Sequence, residues 1–244
     1  VTFAPVLPDG WTLVARESVG STNDEALSLA EEGAADGTVV WAREQTGGRG
    51  RRGRRWASPA GNLYCSTILR PSCPAARAAE LGFVAALAVA DLVRDGRAVR
   101  VKWPNDVLVA DGKVAGILPE SSIAADGAVE HLVLGIGVNV AFAPELPEMR
   151  YPGATLGGTV EDALSALTSG LARWMSVWRT HGFEAVRGAW LERAGPLGAT
   201  VDVKLGEELV RGAFAGMGPD GALLLETPGG TRRIVAGELL GRAA

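Results

Sequence analysis

The sequence predicts an α+β protein: a central mixed or antiparallel sheet with helices over residues 1–195, then a small C-terminal all-β barrel over residues 196–244. Three observations predict it. Helical and strand-like runs alternate irregularly up to Ala194. Four short apolar runs between Val99 and Val140 are spaced by turn signals, as in antiparallel hairpins. Beyond Gly195-Pro196 only short β-like runs remain.

In chain order, residues 22–33 predict a helix with Thr22 as N-cap, Glu25 completing a capping box and Gly33 as the stop. The β-rich run TVVWARE at 38–44 predicts a strand, and NLYCSTIL at 62–69 a second one. Pro74 opens an alanine-rich helix ending near Gly96. Strands follow at 99–103, 106–109, 113–120 and 130–140, with turns at Pro104-Asn105, Asp111-Gly112 and Asp126-Gly127. Two helices are expected at 160–180 and 183–194. The barrel strands are TVDVKL, ELVRGAFAGM, ALLLE and TRRIVAG, separated by Gly206, Asp220-Gly221 and Gly229-Gly230.

A chain of 244 residues that is 47% hydrophobic can bury a full core. Its 28 acidic and 24 basic residues give a net charge of -4, which argues against a generally basic nucleic-acid surface. Cys65 and Cys73 lack any metal or disulfide spacing and read as reduced thiols. The longest apolar stretch, 81–93, contains Asp91 and is too short for a membrane span, and no signal-peptide pattern opens the chain. A soluble cytoplasmic protein is expected.

On this acidic background the segment GGRGRRGRRW, residues 47–56, concentrates five arginines. Gly48, Gly50 and Gly53 have G-x-G-x-x-G spacing, but a dinucleotide turn must lead into a helix, and Pro59 and Gly61 follow instead. A nucleic-acid patch and a solvated basic loop are the other readings. Glycines that let the backbone approach a ligand, alternating with guanidiniums that bind anions bidentately, fit an anion clamp better.

Several separated motifs resemble those of the biotin protein ligases. They are S21-T22-N23, E44-Q45-T46, the arginine segment through Trp56, N62-L63-Y64, K102-W103-P104-N105-D106, G112-K113-V114-A115-G116-I117-L118 with Glu120, and G135-I136-G137-V138-N139. They cover residues 18–140 in the family's order. The resemblance implies a class II synthetase-like catalytic domain that forms biotinyl-5'-AMP from biotin and ATP. It then transfers biotin to a lysine of a biotin carboxyl carrier protein. Bringing a carboxylate against a phosphate calls for fixed cations and Mg²⁺.

By the same resemblance Lys113 and Arg51 are the catalytic residues. Ser21, Thr22, Asn23, Gln45, Gly48, Arg49, Gly50, Arg51, Lys113, Gly116, Leu118, Gly135 and Gly137 match the biotin site. Arg51, Arg54, Trp56, Asn105, Lys113 and Asn139 match the adenylate site, the two asparagines near ribose, phosphate and metal; no residue is assigned as a metal ligand. Asp106 reads equally as turn chemistry or as a site group, and Arg52 and Arg55 as solvated charge. His131 and His181 lie in no motif, and a carboxylate already ionised at neutral pH requires no general base. The carrier domain of a carboxylase is the expected partner; monomer and homodimer both stay open. A lipoate protein ligase is the nearest alternative, and a nucleic-acid-binding repressor the alternative of another class. Only about twenty residues, with Pro5, Pro8 and Gly10 among them, precede Ser21, so no DNA-binding domain and no nucleic-acid partner are expected.

Overall fold

The computed structural model describes residues 4–144 and 151–242. Its body is a seven-stranded sheet in the order β1-β2-β3-β7-β6-β5-β4. β1 (Thr12–Val19) and β2 (Thr38–Gln45) run parallel because α1 (Thr22–Glu31) crosses between them. Every other neighbour in the sheet is antiparallel: β3 (Leu63–Leu69), β4 (Val99–Lys102), β5 (Asp106–Val109), β6 (Gly112–Ile123) and β7 (Val129–Val138). β1 has no counterpart among the expected elements. It is an edge strand whose residues are half-buried or exposed, so it lacks the apolar alternation that marks a strand.

Helix α2 (Glu80–Ala90) is buried along its whole length, between the sheet and α3 (Val160–Arg193). That explains why it has no polar stripe. Its one carboxylate, Glu80, accepts hydrogen bonds from Arg77 and from the Trp178 indole. The helix begins later than Pro74, because residues Ala75–Arg77 form a separate 3₁₀ turn, and it stops at Ala90 instead of near Gly96. α3 contains the expected break between two helices: Gly182 sits at φ 73°, ψ -176°. The turn expected at Asp111-Gly112 lies one residue earlier, with Ala110 and Asp111 both at positive φ, the pattern of a two-residue hairpin.

Thr22 is not the N-cap of α1. Ser21 holds that position, without a side-chain capping bond, and the Thr22 hydroxyl is turned to Gln45. The predicted Glu25 partner of the capping box instead pairs with Arg16.

The second sheet comprises β8 (Thr200–Leu205), β9 (Glu208–Met217), β10 (Leu223–Thr227), β11 (Gly230–Ile234) and β12 (Glu238–Arg242). Its order is β11-β10-β9-β8-β12, and β11 and β12 form the two edges without pairing to each other. The expected barrel is therefore an open antiparallel sheet among the described residues. Its apolar face packs on the body: Phe214 and Leu223 belong to one buried cluster with Trp103 and Trp190, and Leu239 packs against that cluster. Trp103 Nε1 donates to Gly221 O at 3.1 Å, and a Cβ at Gly221 would stand 2.6 Å from the Phe83 ring. A glycine is required for that approach.

Candidate active site

One cleft of ≈ 140 Å³ opens between the sheet, the start of α1, the arginine hairpin and the first residue of β12. Its floor is made by β6 and β7, which pair Gly116 with Gly137 and Leu118 with Gly135. The glycines remove side chains from the floor, and other groups lie directly on it. A Cβ at Gly137 would come 2.5 Å from Trp56 Nε1, and one at Gly116 would come 3.1 Å from the same indole. Over Gly135 lies the amide of Asn23, whose Nδ2 would be 2.9 Å from an added Cβ. Trp56 Nε1 is buried without a hydrogen-bond partner in the protein.

The arginine segment is a folded hairpin rather than a featureless loop. Gly50 N–H donates to Arg54 O at 2.7 Å and Trp56 N–H to Gly48 O at 2.9 Å. Arg51–Gly53 form a 3₁₀ turn in which Arg52 (φ 59°) and Gly53 (φ 71°) are left-handed. Gly48 does not line the cleft. It lies behind the wall, where a Cβ would collide with Ser58 Oγ and the Trp56 carbonyl, so the two arms close only over glycine.

At one end of the cleft polar side chains form a continuous chain. Gln45 Oε1 accepts the Thr22 N–H at 2.8 Å and its hydroxyl at 3.0 Å, while Gln45 Nε2 donates to Ser58 Oγ at 2.9 Å. Ser66 Oγ lies 2.8 Å from Thr22 Oγ1 and 2.6 Å from Asn23 Oδ1. Asn23 Nδ2 donates to Glu120 Oε2 at 2.5 Å and to Leu118 O at 3.2 Å. Glu120 in turn receives Arg49, which also pairs with Asp24. Both carboxylates hold the Arg49 guanidinium above its ordinary pKa, the Asp24 hydrogen bond most strongly. Arg49 therefore ties the hairpin to α1 and β6. Ser66, on β3 and fully buried, and Glu120 carry this chain, and neither was among the expected site residues.

The other end is cationic. Arg51, Arg54, Arg55, Lys102 and Lys113 line it, against the carboxylates of Asp106 and Glu238. Lys113 Nζ stands 2.7 Å from Asp106 Oδ1 and 5.3 Å from the centroid of the Trp56 ring. Lys102 Nζ lies 3.0 Å from Asp106 Oδ2 and 4.6 Å from the Tyr151 ring centroid. Burial pushes the Asp106 carboxyl up, but the two ammoniums outweigh burial and hold it below the usual carboxylate range. Burial lowers Lys102, and the Asp106 charge only partly offsets that. Arg51 is lowered by burial first and by neighbouring Arg52 next; its Nη1 donates to Asn105 Oδ1 at 3.4 Å.

Asn105 Nδ2 donates to Ile117 O at 2.8 Å and Asn139 Nδ2 to Lys113 O at 3.2 Å, so both amides brace the floor strand. Apart from Gly48, the cleft brings together every residue expected at the site. Lys102, Tyr151 and Arg55 line it as well, and so does Asp106, the first residue of β5. Arg52, read as solvated, reaches Glu238 at 3.8 Å. His131, expected to have no role, is buried in β7 outside the cleft.

A mixed sheet with a glycine floor, crossed by an arginine hairpin with an ammonium at its base, defines an anion-binding cleft. The chain belongs to the biotin/lipoate A/B protein ligase family, whose model matches residues 16–139. Among individual proteins, the chain is 45% identical over 233 residues to the biotin–acetyl-CoA-carboxylase ligase of Paracoccus denitrificans, covering 90% of this chain and 96% of that one. To the biotin–acetyl-CoA-carboxylase ligase of Mycobacterium tuberculosis it is 36% identical over 238 residues, covering 91% and 85%. In three dimensions it resembles biotin protein ligase from Aquifex aeolicus in complex with biotin and ATP, with a TM-score of 0.80 and 28% identity over 95% of this chain and 99% of that one.

Proposed function

We propose that the chain activates biotin with ATP and transfers it to a lysine of a biotin carboxyl carrier protein, with residues 1–195 as the catalytic unit and 196–244 as a smaller accessory unit. The observation that carries this reading is the joining of a polar, hydrogen-bonding end and a five-cation end in one cleft. The ureido ring of biotin needs donors and acceptors, which the Thr22, Asn23, Gln45 and Ser66 cluster offers, together with the Ser21 hydroxyl that α1 leaves uncapped. A lipoyl dithiolane ring has no such groups and would leave that cluster facing apolar sulfur, which favours biotin over lipoate.

In the first half-reaction the biotin carboxylate attacks the α-phosphorus and the bond to pyrophosphate breaks. Lys113 stands at the base of the cleft, where the ammonium offsets the repulsion between carboxylate and phosphate; Arg51 adds a second, fixed charge. Arg54 and Trp56 serve the nucleotide, and Gly50, Gly116, Leu118, Gly135 and Gly137 shape the biotin side. In the second half-reaction the amine of the acceptor lysine attacks the acyl carbon. An amide forms, AMP leaves with the bonding pair, and a proton is released.

Mg²⁺ fits only as an ion carried by the triphosphate. Among the described residues no group of three or more His, Cys, Asp or Glu side chains could hold a metal, and Asp106 is committed to two lysines. An ion held mainly by phosphates and water asks little of the protein, and amide oxygens of Asn105 or Asn139 are the donors at hand. When bound it would neutralise charge on the leaving pyrophosphate.

No helix among the described residues is long and apolar enough to cross a membrane, and Cys65 and Cys73 are both free and buried. We place the protein in the cytoplasm, where such thiols stay reduced, as a monomer or homodimer without a nucleic-acid partner. The test is biotin-dependent exchange of labelled pyrophosphate into ATP. Exchange with biotin supports the reading; exchange with lipoate alone overturns it.

A further inference from the structure

The C-terminal sheet reaches the cleft through Glu238, the first residue of β12. Its carboxylate receives Arg54 Nη1 at 2.6 Å and lies 3.8 Å from Arg52 Nη1. The Glu238 side chain is 17% exposed, against 48% for Arg54, so the carboxylate is the anchored member of the pair. Its backbone is paired: Glu238 lies opposite Lys204 and Leu239 opposite Val203 on β8, ahead of a register shift between Leu239 and Arg242. Gly237 packs so closely that a Cβ there would meet Leu205 Cδ2 at 2.8 Å. The arginine turn, by contrast, is a single 3₁₀ turn containing two left-handed residues and no buried one. Of the two segments, β12 is the one built to fix a position.

We propose that Glu238 is a positioning residue for the nucleotide end of the site: from the C-terminal sheet it holds the Arg54 guanidinium at the mouth of the cleft, so that the triphosphate meets an ordered cation. This rests on the reading of the cleft as an ATP site. A guanidinium has five N–H donors, and the Glu238 bond occupies one, which leaves the rest for phosphate oxygens. Five cations against the carboxylates of Asp106 and Glu238 also keep this end attractive to a polyanion. The C-terminal sheet thereby completes a site built on the body, and part of the ordering of the hairpin is done before ATP arrives.

The test uses the full chain in biotin-dependent pyrophosphate exchange, with Glu238→Gln, Glu238→Ala and Glu238→Asp. The Gln and Ala variants should raise the KM for ATP by roughly three- to tenfold, the scale of a half-exposed charge-assisted pair. The KM for biotin and the rate at saturating ATP should stay within about twofold, because this pair touches only the nucleotide end. Glu238→Asp, which keeps the charge, should recover part of the loss. Trypsin should cut the hairpin faster in the Gln variant than in the unmutated chain, both without ligand. A KM for ATP that is unchanged overturns the proposal. So does one that falls, since Glu238 would then be a competitor of phosphate, and so does an equal rise for both substrates, which marks general damage. Absence of exchange in the unmutated chain overturns the adenylation reading itself; normal exchange with unmoved KM values overturns only the role of Glu238.

Discussion

The Lys113 ammonium lies 2.7 Å from Asp106 Oδ1, across the hairpin that joins β5 to β6. One carboxylate thus fixes the cation on which the proposed chemistry depends, and shares itself with Lys102. Replacing Lys113 with alanine should reduce biotin-dependent pyrophosphate exchange by about 10²- to 10³-fold, the scale seen when one charge-stabilising group is lost. The melting temperature should move by only a few degrees, as the side chain is partly exposed. Exchange within about threefold of the unmutated rate would remove Lys113 from the centre of the mechanism.

Asp106 should give the protein an acid limb. Its folded pKa is held below the ordinary carboxylate value of about 4. Stability from its two ion pairs is therefore fully present above that value and is lost as pH falls through the depressed folded pKa. Thermal unfolding of the unmutated chain between about pH 2 and pH 6 should show this loss. Asp106→Asn should be less stable near neutrality, because two cations lose their partner, and should show a shallower decline toward acid. Parallel curves for the two proteins would refute the assignment.

Gly135 is the position where the floor meets the polar chain. In Gly135→Ala the methyl group would stand 2.7 Å from Asn23 Cγ, so the amide must leave Ser66 and Glu120. The KM for biotin should rise about tenfold or more, while that for ATP changes by less than about threefold, in line with the cost of one or two misplaced buried hydrogen bonds. Equal values for the variant and the unmutated chain would show that the cluster tolerates displacement and does not set biotin affinity.

Trp56 lies on Gly116 and Gly137 with its Nε1 buried and unpaired in the protein. Biotin and ATP should change its surroundings, so indole emission should shift in intensity or wavelength when both are added. Trp56→Phe should abolish the shift, although six other tryptophans remain. In the same experiment the Arg51 and Trp56 segment should become protected from protease. A full spectral change in the Phe variant would assign the signal to another indole.

Much of the body was legible because its signals are local. Strands 38–44, 106–109 and 113–120 were marked by β-rich runs and turn residues, and the break in α3 by Gly182. β1 was not, since an edge strand with both faces partly wet need not alternate. The capping role given to Thr22 failed for a different reason. A hydroxyl at a helix start has one proton and few directions, and Gln45, 23 residues away, offered the better acceptor.

By itself the sequence determined the family motifs and their order: the arginine segment with its glycines, Lys113 beside its turn, and the glycine-bearing runs of the floor. These depend on backbone conformation and on neighbours a few residues apart. Only the tertiary structure decided which charges meet. Arg54 finds Glu238 across 184 positions, Asn23 finds Glu120 across 97, and the open C-terminal sheet shares a buried cluster with Trp103 and Trp190 of the body. Such pairings follow from how the sheets pack, and residue spacing along the chain carries no trace of them.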